Sequence, residues 1–169
     1  MNQALPSTFS DDAQPIRTTQ FSIADFRIRN PRTRVIVSKR PTEWYDIVES
    51  KLGELVVDLR AGWDGYDAQP VALPNAIFAL SMLNSVCRSD TLAPQIVPGT
   101  TGDLQIEWHT EHVDIELTVK NPNEVHAWRC LVSGDPDGES LDLTTDFTDV
   151  VNWIAAMSEQ QIVANAAAA

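Results

Sequence analysis

Two histidines and three carboxylates lie within eight residues in the middle of the chain: Glu107, His109, Glu111, His112 and Asp114. Imidazole nitrogens and carboxylate oxygens are common ligands of divalent metal ions. In helical zinc motifs the two histidines stand at i and i+4 on one face, whereas here alternating apolar residues on both sides predict a β-turn between them. The candidate metal ligands are His109, Glu111 and His112. A metal-dependent or ligand-binding enzyme at 109–112 is thus an alternative to a solvated turn.

Other catalytic signatures are missing from the sequence. It has no GxSxG, no P-loop, no GxGxxG and no cysteine with a suitable His and Asn set. This favours a protein without enzymatic activity and without a cofactor. Cys87 and Cys130 lie far apart in apolar contexts, which predicts two buried thiols rather than a disulfide or a metal site.

The charge of the chain is unevenly distributed. The 169 residues carry a net charge of −12. Residues 1–40 hold seven basic and three acidic residues (+4), and residues 41–169 hold five basic and twenty-one acidic residues (−16). Such an acidic body argues against a nucleic-acid coat or a membrane-surface protein, since both bind through Lys and Arg. It predicts a protein partner with a basic surface, and no association with a membrane.

Acidic residues in two parts of the chain are the predicted contacts for this partner. Between Glu107 and Glu116 they alternate with apolar residues, which places them on one face of a sheet. Like charges directly opposite each other on such a face are destabilising. They are therefore either solvated or matched by a cation. The predicted partner-binding residues are Glu107, Asp114, Glu116, Asp135, Asp137 and Asp142, with the aromatic residues Trp63 and Tyr66.

Residues 1–40 are predicted to form a flexible tail and a basic arm. Arg27 and Arg29 alternate with Phe26 and Ile28 in the period of a strand. The arm is expected to dock on the acidic body, in the same chain or in a homodimer, and nucleic-acid binding is the alternative. Its basic residues are Arg27, Arg29, Arg32, Arg34, Lys39 and Arg40.

Hydrophobic periodicity predicts the elements that position these residues. Apolar residues at helical spacing predict helices over 43–61, 74–88 and from 145 or 146 to 158. The period then becomes two over 95–97, 104–109, 113–120 and a following strand. The fold class is α+β: two N-terminal helices and one C-terminal helix pack on one face of a three- to four-stranded antiparallel meander. The acidic domain spans 41–160, and a frayed C-terminus covers 161–169.

Turn chemistry predicts the register of the meander. A two-residue turn at Thr110 and Glu111 places Glu107 opposite Asp114. A four-residue loop after Lys120 then places Arg129 opposite Glu116 on the polar face, because the other register would point this arginine into the core. In the loop WDGY, Asp64 is expected to bond turn amides and Gly65 to take a positive φ, while Trp63 and Tyr66 are either structural or contact anchors.

The strings AGWDGYDAQPV (61–71) and LQIEWHTEHVDIELTV (104–119) support a resemblance. The chain resembles a family of small bacterial proteins that have a GWDGY-x-A-x-P loop before an apolar helix and then an LxIEW strand hairpin. The similarity covers about residues 43–130. It implies the same fold outline and a bacterial or phage origin, and it implies no activity. Asp67 departs from the small residue expected at that position.

These observations lead to one expected role. No apolar stretch reaches the roughly 18 residues of a membrane helix, and no leader is evident, which predicts a cytoplasmic protein. The sequence indicates a non-enzymatic protein-binding module of the antitoxin, immunity or inhibitor kind. Its acidic surface would engage a basic partner surface.

Overall fold

The computed structural model of the chain describes residues 20–22, 36–38, 43–134 and 137–167. In chain order the helices and strands are β1 (Gln20–Ser22), β2 (Ile36–Ser38), α1 (Glu43–Val57), α2 (Leu73–Val86), β3 (Gln95–Pro98), β4 (Leu104–His109), β5 (Val113–Asn121), β6 (Glu124–Leu131), β7 (Glu139–Leu143) and α3 (Thr148–Ala167). The α+β class predicted from the change of period is confirmed.

Strands β3 to β7 form one antiparallel sheet in the order β3-β4-β5-β6-β7, while β1 and β2 pair in a separate two-stranded sheet. The predicted count of three to four strands is too low, because β7 also pairs with β6. This strand is short, and Leu141 and Leu143 are its partly buried residues. Two half-buried positions are too little alternation to be recognised after a strong turn signal.

The helices differ from their predicted lengths at their ends. Helix α1 ends at Val57, where the helical bond from the Asp58 N–H to the Glu54 carbonyl, at 2.9 Å, is followed by a bond from the Leu59 N–H to the same carbonyl at 3.1 Å. Helix α3 starts after Asp146, whose carboxylate accepts the hydroxyl and the N–H of Thr148 at 2.7 and 3.0 Å. These two bonds, the hydroxyl bond first, hold the pKa of Asp146 below its usual value. The helix continues to Ala167, beyond the predicted end at 158.

The core forms between the helices and one face of the five-stranded sheet. Alternate residues of β4 and β5 are fully buried, among them Ile106, Trp108 and Ile115, and they join one cluster with buried side chains of all three helices. The indole N–H of Trp108 donates to the Leu92 carbonyl at 2.8 Å, so this large side chain is buried without an unpaired donor. The other face of the sheet is left half-exposed.

The hairpin between β4 and β5 closes one residue later than predicted. Thr110 and Val113 pair through their backbones and through the Thr110 hydroxyl, which donates to the Val113 carbonyl at 2.9 Å and leaves Glu111 and His112 as the tip. Glu107 therefore lies opposite Glu116, and the predicted pairing with Asp114 is wrong. Since the register shifts by two residues, each side chain keeps the face that its alternation predicts.

The hairpin between β5 and β6 departs from the prediction in a way that does change faces. A bulge between Val119 and Asn121 shifts the register by one, so Ile115 pairs with Arg129 and Glu116 with Trp128. The predicted pairing of Arg129 with Glu116 is wrong.

Arg129 instead turns to the helix side. Its guanidinium lies 4.8 Å from the Trp153 ring and bonds Glu139 at 2.7 Å. These two contacts satisfy the charge of Arg129 on the helix side of the sheet, so the observed register is tolerated. Cys87 is buried as predicted, whereas Cys130 is half-exposed.

Candidate functional site

The half-exposed face of the five-stranded sheet, called the open face below, gathers most of the predicted partner-binding residues. Its strand positions carry two histidines and the carboxylates of Glu107, Asp114, Glu116 and Asp142. Lys120, in the bulge near the end of β5, is a basic residue at the border of this face. The residues of the open face are Gln95, Val97, Gln105, Glu107, His109, Asp114, Glu116, Thr118, His126, Trp128, Cys130, Ser140 and Asp142.

Two glutamates of equal charge lie side by side at the centre of the open face. Glu107 and Glu116 are directly opposite on β4 and β5, an arrangement that is destabilising unless each charge has a partner. Glu116 accepts a hydrogen bond from the Gln105 amide at 2.7 Å, and Glu107 lies 3.1 Å from His109 Nε2. Each carboxylate thus has its own donor, and the side chain of Glu107 is only 16% exposed.

His109 is held between two carboxylates. Its Nε2 faces Glu107 at 3.1 Å and its Nδ1 faces Asp114 at 3.0 Å. Only the imidazolium can donate from both nitrogens. The hydrogen bonds to Glu107 first, and then to Asp114, therefore raise the pKa of His109 above its usual value. When protonated, this histidine cancels part of the acidic charge of the open face.

A second histidine–carboxylate pair lies on the β7 side of the open face. His126 Nδ1 is 2.9 Å from Asp142, and this bond is the main reason that the pKa of Asp142 is lowered, with a smaller contribution from the charge of Lys120. The acidic surface therefore extends across the sheet from β4 to β7.

Trp128 lies on the open face, whereas the predicted register, with Arg129 opposite Glu116, places it beside Leu117 on the core side. The bulge turns its side chain to the open face, where it is half-exposed and its indole N–H donates to the Asp137 carbonyl at 3.2 Å. The contact brings Asp137 to the border of the open face. The sequence contained a signal for this register, because it places the apolar residues Val125 and Ala127 on the core side.

The structure thus brings five of the six predicted acidic residues to one surface. Glu107, Asp114, Glu116 and Asp142 lie on the open face, and Asp137 borders it. Asp135 and the basic-arm residues Arg27, Arg29, Arg32, Arg34, Lys39 and Arg40 lie outside the described residues.

The three candidate metal ligands do not converge. His109 uses both ring nitrogens on Glu107 and Asp114, whereas Glu111 and His112 line a groove next to Leu131. Within residues 43–134 and 137–167, no three His, Cys, Asp or Glu side chains are placed to hold a metal ion. The hairpin geometry therefore gives no support to the metal-dependent alternative.

The WDGY loop has a well-defined structural role. Asp64 accepts the N–H groups of Tyr66 and Ala68 at 2.9 and 3.2 Å, and Gly65 has φ 86°, both as predicted. Trp63 donates its indole N–H to the Gln69 carbonyl at 3.1 Å, while Tyr66 is 85% exposed. Gln69 pairs with the turn that precedes β4, so the loop lies at the end of β4 opposite to His109. Trp63 and Tyr66 therefore do not join the acidic cluster.

Comparison of the chain with protein-family models, with curated proteins and with solved structures finds no match. No helix among the described residues combines the length and the apolar character that crossing a membrane requires.

Proposed function

We propose that this protein is a non-enzymatic binding module whose open face engages a basic surface of another protein. The observation that carries the proposal is the concentration of Glu107, Glu116, Asp114 and Asp142 on one half-exposed sheet face, where Lys120 lies only at the border. Such a face attracts a cationic partner within about a Debye length, which raises the association rate. It also repels acidic proteins, which makes binding selective.

The two opposed glutamates support a partner rather than a merely soluble surface. Solubility requires charge but does not require like charges in direct opposition, which cost stability. A guanidinium or ammonium group placed between Glu107 and Glu116 would relieve that repulsion on binding. Trp128 pairs with Glu116 in the same row of the sheet and supplies the apolar contact area that is typical of interface hot spots.

The charge layout favours an antitoxin, immunity or inhibitor role in the cytoplasm of a bacterium or in a phage-infected cell. In that role an acidic protein covers a cationic functional surface of its target. The basic residues within 1–40 assist by docking on the acidic body of the same chain or of a second copy. The resemblance of residues 43–130 to small bacterial proteins is consistent with this setting.

The test compares the full chain with two charge variants of equal size. E107Q/E116Q removes the central charges of the open face, and D58N/D90N removes two exposed charges from other parts of the chain. Each protein is immobilised, proteins from the source cell are captured, and recovered proteins are purified for affinity measurements at two salt concentrations.

We expect a basic protein whose affinity falls about 10-fold or more in E107Q/E116Q and changes less than about twofold in D58N/D90N. The affinity of the unmodified chain should also fall as salt rises. Recovery of no partner, or of a partner whose affinity responds neither to salt nor to E107Q/E116Q, would refute the proposal.

A further inference from the structure

A groove separate from the open face lies where the β4–β5 tip, the end of β6 and the C-terminal half of α3 meet. It encloses about 690 Å³, a volume within the range of ligand pockets. The backbone holds its walls in place, since the Val132 N–H donates to the His112 carbonyl at 3.0 Å. The lining residues are Glu111, His112, Leu131, Val132, Ser133, Ala156, Glu159, Gln160 and Val163.

Exposed apolar side chains converge on this groove. Leu131, Val132 and Val163 are 43%, 65% and 68% exposed, and they come from two separate segments of the chain. Keeping three large aliphatic side chains in water costs free energy, which their burial against a partner would recover. Apolar surface grouped in this way on a protein is characteristic of a binding site.

The charge around the groove is acidic. Glu111 and Glu159 are the carboxylates among its lining residues, and from residue 131 to the end the sequence holds seven acidic and no basic residues. Arg129 is close in sequence, but its guanidinium bonds Glu139 and covers the Trp153 ring. An anionic lipid, a nucleic acid or an acidic ligand would therefore be repelled from this site.

The same charge argues against a second copy of this acidic body as the occupant. Residues 41–169 carry a net charge of −16, so two such surfaces would repel each other across the groove. The occupant must supply apolar side chains for Leu131, Val132 and Val163 and cationic groups for Glu111 and Glu159. A short peptide segment of another protein meets both requirements, and the sequence Phe26–Arg29 of this chain has the same composition and would compete with it.

We infer that this groove docks a peptide segment in which one or two large apolar side chains stand next to Lys or Arg. The inference shares with the proposed function the premise that the chain binds proteins, but it concerns a different surface. Binding here would give the partner a second contact, and two linked contacts raise the overall affinity well above that of either one.

The test is a selection of displayed random 12-residue peptides on the immobilised full chain, followed by affinity measurements with the synthesised winners. The groove variant is V132S/V163S. Both side chains are exposed, Val132 lies in a turn, and serine and valine have similar helix propensities at position 163 in α3, so the fold should tolerate the change. The matched control is V57S, at an aliphatic residue that is 47% exposed at the end of α1. E107Q/E116Q serves as the control for the open face.

We expect enriched peptides that combine apolar with basic residues and lose about 10-fold or more in affinity with V132S/V163S. V57S and E107Q/E116Q should leave their affinity within about twofold. Backbone amide NMR signals of Leu131, Val132 and Val163 should shift on titration with the same peptides.

Three outcomes would overturn the inference. One is no enrichment, or enrichment of acidic peptides. Another is peptides that lose affinity with E107Q/E116Q but not with V132S/V163S, which would leave the proposed function standing and refute the groove. The third is a shift of the groove's backbone amide NMR signals when only the protein concentration is raised, since this would identify a second copy of the chain as the occupant.

Discussion

Replacement of Asn75 by alanine is expected to destabilise the fold through the strand register. Asn75 lies in the first turn of α2 and is only 4% exposed. Its side-chain amide donates to the Gly102 carbonyl at 2.9 Å and to the Lys120 carbonyl at 3.1 Å. Lys120 is the bulge residue between Val119 and Asn121, and no residue of β6 lies directly opposite it. One side chain therefore connects a helix start, a turn and the bulge.

The cost of the change can be worked out from these two bonds. The Gly102 carbonyl keeps a second donor, the Ala72 N–H at 2.9 Å. Losing its bond to Asn75 should therefore cost about 1 kcal/mol, as for an ordinary hydrogen bond. The Lys120 carbonyl loses its partly buried bond from Asn75, which costs about 1–2 kcal/mol. We expect N75A to lower the free energy of unfolding by about 2–3 kcal/mol. N75D should cost more, because a carboxylate would face two carbonyl oxygens.

Urea unfolding followed by far-UV circular dichroism measures these differences. The matched control is N152A at an exposed position of α3, where alanine should change the free energy by less than about 0.5 kcal/mol. NMR spectra of N75A should also show shifts at the Trp128 indole, which depends on the bulge for its place on the open face. A loss below about 0.5 kcal/mol for N75A, or an N75D variant as stable as the unmodified chain, would refute the reasoning.

Three further outcomes are expected. Because two carboxylates raise the pKa of His109, its stabilising effect is complete below its usual value of 6.5 and is lost as pH rises through the folded-state pKa. H109Q should therefore destabilise the protein more at pH 5.5 than at pH 9 in urea unfolding, and an equal loss at both pH values would contradict this. G138A should cost about 3 kcal/mol in the same assay, since its φ is 68° and an added Cβ would lie 2.6 Å from a β6 carbonyl; a loss under about 1 kcal/mol contradicts this. Burial raises the pKa of Cys87 to about 12, so a thiol reagent should modify Cys130 first and Cys87 only on unfolding; equal rates would disprove it.

Local patterns were sufficient for the three helices and for the buried faces of α1, β4 and β5. The apolar stripe predicted for α1 is buried at Trp44, Val48, Leu52 and Leu55, while its last member, Leu59, lies beyond the helix and is partly buried. The alternation along β4 and β5 is buried as its spacing predicts. The acidic residues of these strands likewise lie on the predicted face. Period is a property of neighbouring residues, and burial of one stripe or one face follows from it wherever the chain folds at all.

The pairing of the strands was decided by individual hydrogen bonds and long-range contacts that the hydrophobic period does not specify. The first hairpin closes at Glu111 and His112 because the Thr110 hydroxyl bonds Val113. The shift of Arg129 to the helix side is possible because Glu139 and Trp153, ten and twenty-four residues further on, receive its charge. From the sequence alone, a register with Arg129 on the core side was rejected as unfavourable. Its partners Glu139 and Trp153 become neighbours of Arg129 only in the folded chain.

The acidic, α+β character of this protein and the face that carries its carboxylates were therefore determined by composition and period. Which carboxylates lie opposite each other, and that Trp128 joins them, was decided by the tertiary structure. The physical reason is that alternation specifies which face a side chain takes within one strand, whereas a one-residue bulge reverses the faces of the next strand. That bulge is bonded by Asn75, a residue of a helix forty-five positions away.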